Sequence, residues 1–162
     1  MKYLQISLGI FIVLAVSRFI PHPPNFTSLI ALSFYVPVLF GRKFVAIVVL
    51  GFALTDLFIG FHQVILFTWG SIIFIGLLSE FFKKNILFRS SGLFLSAIVF
   101  FIISNFGVWL TGQYEYSLKG LTECYYMAIP FFGNTLLSTI VYSIVIEFLN
   151  SSNLFKKYLM KA

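Results

Sequence analysis

Asp56 sits inside a long apolar run, "GFALTDLFIG". A carboxylate in such surroundings needs a cation, a proton or a water-filled cavity beside it. Arg18, at the end of another apolar run, would satisfy it as an ion pair, and His22 and His62 stand just beyond the two runs. Imidazole and carboxylate are ligands for zinc, nickel or cobalt, so His22, His62 and Asp56 could hold a divalent metal, although two isolated histidines are a weak donor set. Asn105 and Trp109 are four residues apart and share a helical face, which lets an amide and an indole line one cavity. Asn25 and Asn134 add two further amides. These types suit recognition of a small solute in a polar, aromatic-walled pocket.

Each residue also has a plainer use. Arg18 can snorkel to headgroups, Trp109, Tyr114 and Tyr116 can form an interfacial aromatic belt, and Asn105 and Asn134 can bond one helix to another. An Arg18–Asp56 pair can be purely structural. The sequence holds no GxSxG, HExxH, Walker loop or dinucleotide fingerprint, so nothing supports nucleophile-elbow or phosphate-cradling chemistry. A small membrane enzyme acting on a lipid or carrier at the outer interface, with His62 or Asp56 as base, is a different-class alternative to binding. No cofactor is implied. The single cysteine, Cys124, cannot form an internal disulfide or a cysteine-based zinc site.

The elements that must position these groups are apolar. Of 162 residues, 60% are hydrophobic, 20% aromatic and only 10% charged, which nearly excludes a water-soluble fold. The formal charge of +6 comes in short clusters between apolar runs, a pattern that reports topology and not nucleic-acid binding. A helix crosses the hydrocarbon in roughly 17 to 25 residues, and six segments read on that scale: Tyr3–Phe19, Thr27–Phe40, Phe44–Gly60, Val64–Phe82, Ser91–Leu110 and Cys124–Leu149. The second is too short to span upright; it is either supported by neighbours in a thinned bilayer or partly re-entrant behind other helices. The expected fold is one all-α transmembrane domain over residues 1–162, a bundle of about six helices. Ala15-Val16-Ser17 resembles a signal-cleavage site, but five further spans favour a retained first helix.

Lys2, Arg42, Lys43, Lys83, Lys84, Arg89, Lys156, Lys157 and Lys161 fall on one side of a six-span arrangement, and only Arg18 and Lys119 on the other. The positive-inside rule then puts both termini in the cytoplasm, and the loops after the first, third and fifth segments outside. Asp56, Asn105 and Asn134 come to the outer half, where Arg18, His22 and His62 join them from the loops. On the inner side, Glu80 and Glu147 lie near helix ends, within reach of interfacial water and nearby lysines. In the first outer loop the prolines of "SRFIPHPPNFTSL" end the helix, and Asn25 or Thr27 is placed to cap the next.

The stretches "RFIPHPPNFT", "TDLFIGFH", "SNFGVW" and "AIPFFGNT" resemble the blocks of a family of small six-span bacterial inner-membrane proteins of uncharacterised function. Arg18, His22, Asn25, Asp56, His62, Asn105, Trp109 and Asn134 stand at its motif positions. That family is similar in length, span count and loop layout to the S components of energy-coupling factor (ECF) transporters. The resemblance implies an S-component-like bundle in the bacterial inner membrane that binds a vitamin-like or metal solute near the outer face. It also implies partners: a transmembrane coupling subunit and two cytoplasmic ATPases, which accounts for the missing Walker motif. The chain departs from the AxxxA docking pattern of many S components, since Ser7 is followed at four by Phe11 and Ala15 by Phe19. It also lacks the N-terminal histidine of the nickel and cobalt members. A scaffold or assembly protein, whose polar residues only hold helices together, is the further alternative.

Overall fold

A computed structural model describes residues 2–153; Lys156, Lys157 and Lys161, counted in the charge asymmetry, lie outside the described residues, as does the side chain of Lys2. Among the described residues there are six helices and no strand: α1 (Lys2–Phe19), α2 (Leu29–Phe40), α3 (Phe44–Ile59), α4 (Ile65–Leu78), α5 (Ile86–Leu110) and α6 (Leu118–Ser151). A 3₁₀ turn, Ser79–Phe82, extends α4. Three stretches are long and apolar enough to cross a membrane, namely Ile65–Phe82, Ile86–Leu110 and Leu118–Ser151, whereas α1, α2 and α3 are shorter apolar helices.

The shortest helix is the centre of the bundle. α2 carries no charged residue, and every side chain from Leu29 to Pro37 is buried. It touches all five other helices, while α1 packs on α3, and α5 on both α4 and α6. Its twelve residues rise only about 18 Å. That length suffices because its neighbours, and not solvent or lipid, surround it. Two apolar clusters meet across it: Ile10, Leu14, Val36, Val48 and Phe52 on the α1 and α3 side, and Ile30, Phe34, Ile75 and Leu93 on the α4 and α5 side. Several buried hydroxyls donate one turn back, as Ser33 does to the Leu29 carbonyl (2.7 Å) and Ser96 to that of Gly92 (2.7 Å).

Several helix ends differ from the sequence reading. α5 starts at Ile86, five residues before Ser91, because the Asn85 side chain accepts from the Phe88 amide (3.0 Å) and caps it there. α6 starts at Leu118 and not Cys124, capped by the Ser117 hydroxyl on the Gly120 amide (3.1 Å). Helix α3 ends one residue short of Gly60, whose φ of 106° closes it. Ser28, and neither Asn25 nor Thr27, occupies the N-cap of α2 and makes no side-chain cap bond, while the Thr27 hydroxyl accepts from the Leu29 amide at 3.5 Å.

The short turn into α6 depends on one missing side chain. A Cβ on Gly120 would lie 2.1 Å from the Glu115 carbonyl oxygen, a backbone atom that no rotamer change can move. Gly120→Ala is therefore expected to destabilise the protein by about 1–2 kcal/mol, as overpacking does. Denaturant unfolding in detergent checks this; wild-type stability would show that the turn adjusts freely.

Candidate functional site

Arg18 comes from the last turn of α1, and its side chain is only 12% exposed. Its Nη2 lies 2.7 Å from Oδ1 of Asp56, and Nη1 donates to the Phe52 carbonyl (3.3 Å) and to the Thr55 hydroxyl, both on α3. The guanidinium also lies over the Phe52 ring, 4.2 Å from its centroid. Asp56 is fully buried, and its second oxygen accepts from Trp69 Nε1 of α4 at 2.8 Å. The expected Arg18–Asp56 pair is thus present, and it ties three helices together. Trp69 and Thr55 are the partners that sequence reasoning missed. A buried indole N–H needs an acceptor, yet thirteen residues of separation do not reveal which one.

Beside this clamp lies a cavity of about 490 Å³. The C-terminal parts of α1, α3 and α5, the N-terminal parts of α2 and α4, α6 from Ala128 to Thr135, and the α1–α2 and α3–α4 connections enclose it. Five of the eight expected site residues line it: Arg18, His22, Asn25, His62 and Asn105. The apolar wall between them carries five phenyl rings, from Phe52, Phe100, Phe101, Phe131 and Phe132, beside aliphatic side chains such as Ile30, Ile59 and Val108. Phe101 and Phe132 stand 4.7 Å apart, centroid to centroid.

The polar groups of the wall are already partly committed. Asn105 Nδ2 donates to the Phe101 carbonyl of its own helix (2.8 Å), and the Ser104 and Thr135 hydroxyls donate likewise to Phe100 (2.7 Å) and Phe131 (3.0 Å). His22 Nδ1 lies 2.7 Å from the Pro23 carbonyl. A carbonyl only accepts, so that nitrogen carries a proton, and in the neutral ring Nε2 is left as an acceptor.

The other three expected residues do not line the cavity. Asp56 stands behind Arg18, both of its oxygens engaged. Trp109 turns its Nε1 to the Glu115 carbonyl (3.0 Å) and packs edge-on against Tyr116, so it braces the α5–α6 connection. Asn134 reaches the α1–α2 loop. There, the Phe26 amide closes a turn on the Pro23 carbonyl (3.0 Å), with Pro24 and Asn25 at its centre and Asn25 at φ 63°. That is the pattern of a type II turn, which accepts asparagine at the left-handed position and turns the carbonyl between the central residues outward. Asn134 Nδ2 donates to that carbonyl, of Pro24, at 3.0 Å. It holds the rim down on α6.

No three metal-binding side chains come together among the described residues. The His22, His62 and Asp56 donor set is not formed, because the carboxylate is spent on Arg18 and Trp69.

A second cluster lies away from the cavity. Arg89 of α5 makes a two-pronged bond to Glu147 of α6 (Nε to Oε1 2.6 Å, Nη2 to Oε2 2.9 Å), and the Tyr35 hydroxyl of α2 donates to Oε1 (2.9 Å). Glu147 therefore pairs, among the described residues, with an arginine of another helix. Glu80 lies 3.8 Å from Arg42 and 3.6 Å from Lys83. Reading α5 from Asn85 would have placed Arg89 within its first turns; that cap was the available signal.

A family model described as a family of unknown function (DUF6580) matches residues 2–157. No curated protein and no solved structure matches.

Proposed function

We propose, for a chain that belongs to the DUF6580 family, an integral membrane protein that captures a small solute in the cavity beside Arg18. In this reading it is the solute-binding subunit of an importer, S-component-like, in the bacterial inner membrane. The observation that carries the binding role is the convergence of Arg18, His22, Asn25, His62 and Asn105 from four separate parts of the chain on one aromatic-walled cavity of about 490 Å³. That size lies within the usual range for small-molecule sites.

The membrane reading rests on the helix surfaces as well as on the three long helices. Phe58 and Leu66 are each 78% exposed, and Leu87 and Phe148 are nearly as bare, which only an apolar solvent tolerates over a whole bundle. Arg42, Lys43, Lys83 and Lys84 are exposed in the α2–α3 and α4–α5 connections, opposite the connections that rim the cavity. By the positive-inside rule the cavity then opens outward and both termini are cytoplasmic. Import would draw its energy from a coupling subunit with ATPases.

A scaffold reading has one observation in its favour, since the Arg18–Asp56–Trp69 clamp joins α1, α3 and α4 without any ligand. The enzyme reading has less, because Asp56 is fully buried, held by Arg18 and Trp69, and does not line the cavity. Thermal unfolding of the purified protein against a panel of vitamins and divalent metals separates binding from scaffolding. One solute at a hundred times its Kd is expected to add about 2.7 kcal/mol, and Asn105→Ala to remove that gain while leaving the unliganded protein folded. A flat response to the whole panel, with no coupling subunit or ATPase retained on purification from the native membrane, would sink the importer reading.

A further inference from the structure

On the reading that this cavity binds a solute, we infer that the solute is an uncharged, planar heteroaromatic compound with an amide-like edge, stacked against the Arg18 guanidinium. Among the described residues, Arg18 is the one permanently charged side chain of the cavity wall, and Asp56 at 2.7 Å pairs with it. No carboxylate and no lysine among them lines the space. A cation would enter without a counter-charge, and an anion would meet a guanidinium already neutralised and a buried carboxylate just behind it. Either would lose its hydration for no compensating pair.

Shape and hydrogen bonding narrow the class further. Arg18 Nη1 donates to Phe52 and Thr55, and Nη2 faces Oδ1 of Asp56 as an ion pair. The Nε–H makes none of these contacts, and the flat face away from Phe52 is left for a ligand. A guanidinium face stacks well on a conjugated ring, and the phenyl rings of the wall favour the same flat shape. The Ser104 and Thr135 hydroxyls donate to their own helices, so toward the cavity they only accept. His22 Nε2 is a further acceptor. The wall thus offers donors at Arg18 and acceptors at Ser104, Thr135 and His22, the complement of a C=O and an N–H on one ring edge. A sugar would instead turn many hydroxyl donors toward phenyl faces with no carboxylate to receive them.

The experiment uses probes matched in shape and different in charge. Nicotinamide, xanthine, pterin and lumichrome form the uncharged set; nicotinate, 1-methylnicotinamide and zinc ion form the charged set. Thermal shift is read for each on the purified full-length protein in detergent, followed by titration of intrinsic fluorescence in a Trp109→Phe background, where Trp69 beside the clamp is the reporter. At least one uncharged probe is expected to bind. Arg18→Lys keeps a cation for Asp56 but loses the flat face and the fork, so it is expected to weaken that probe at least tenfold. Phe132→Leu, which leaves the clamp intact, is expected to weaken it as well and serves if Arg18→Lys does not fold. Equal binding by wild type and both variants would overturn the stacked pose. Stabilisation by a charged probe alone, dependent on Asn105, would overturn the solute class and leave the binding role standing. Silence from both sets and from the wider panel of vitamins and metals would overturn both.

Discussion

Asp56→Asn is expected to lower the unfolding free energy by about 3–5 kcal/mol, the usual cost of stripping one partner from a buried ion pair. The asparagine keeps the shape and can still accept from Trp69, so the loss isolates the charge. It leaves the Arg18 guanidinium, only 12% exposed on its side chain, with neutral acceptors alone at Phe52 and Thr55. Arg18→Met is expected to cost a similar amount, because it strands a fully buried carboxylate. The double variant Arg18→Met/Asp56→Leu should recover most of the loss, since an apolar pair of similar volume is often neutral or better. Equilibrium unfolding of the four proteins in one detergent completes the cycle. Additive losses in the double variant would mean that the two groups do not depend on each other, which their 2.7 Å contact forbids.

The same pair shows what can be read from sequence in so apolar a chain. A charge among Phe, Leu and Ile is rare enough that its partner can be sought by elimination, and Arg18 was the cation at the right depth. All six helices followed from the apolar runs, since hydropathy over about twenty residues is the strongest signal such a chain carries. The ends of α5 and α6 did not follow, because "NILFRSS" and "SLKGLTE" look polar locally. They are helical because Asn85 and Ser117 cap them, and Arg89 is polar for a reason that lies on another helix. Asn105 and Trp109 illustrate a different limit. Their spacing assigned them correctly to one helix face, but only the packing of α5 on its neighbours decides that Asn105 lines the cavity and Trp109 braces the loop. Asn134 was singled out for its chemistry and turned out to hold Pro24, a contact between residues 110 apart.

Arg89→Met is expected to cost about 3 kcal/mol, the second large effect, and it tests whether the two polar clusters are energetically separate. Among the described residues Glu147 would keep only the Tyr35 hydroxyl, with its side chain 18% exposed and no other cation bonded to it. A half-satisfied carboxylate among α2, α5 and α6 is costly because the arginine supplied two charge-assisted bonds at once. Tyr35→Phe removes a single neutral donor and is expected to cost only about 1 kcal/mol. Glu147→Gln in the Arg89→Met background should return part of the loss, since the stranded charge is gone. None of these residues lines the cavity, whereas Arg18 does. Solute-induced stabilisation should therefore survive Arg89→Met at its wild-type size even as the starting stability falls. If it vanished instead, the Arg89–Glu147 pair and the cavity would be coupled through α5 and α6, the two helices that contribute to both.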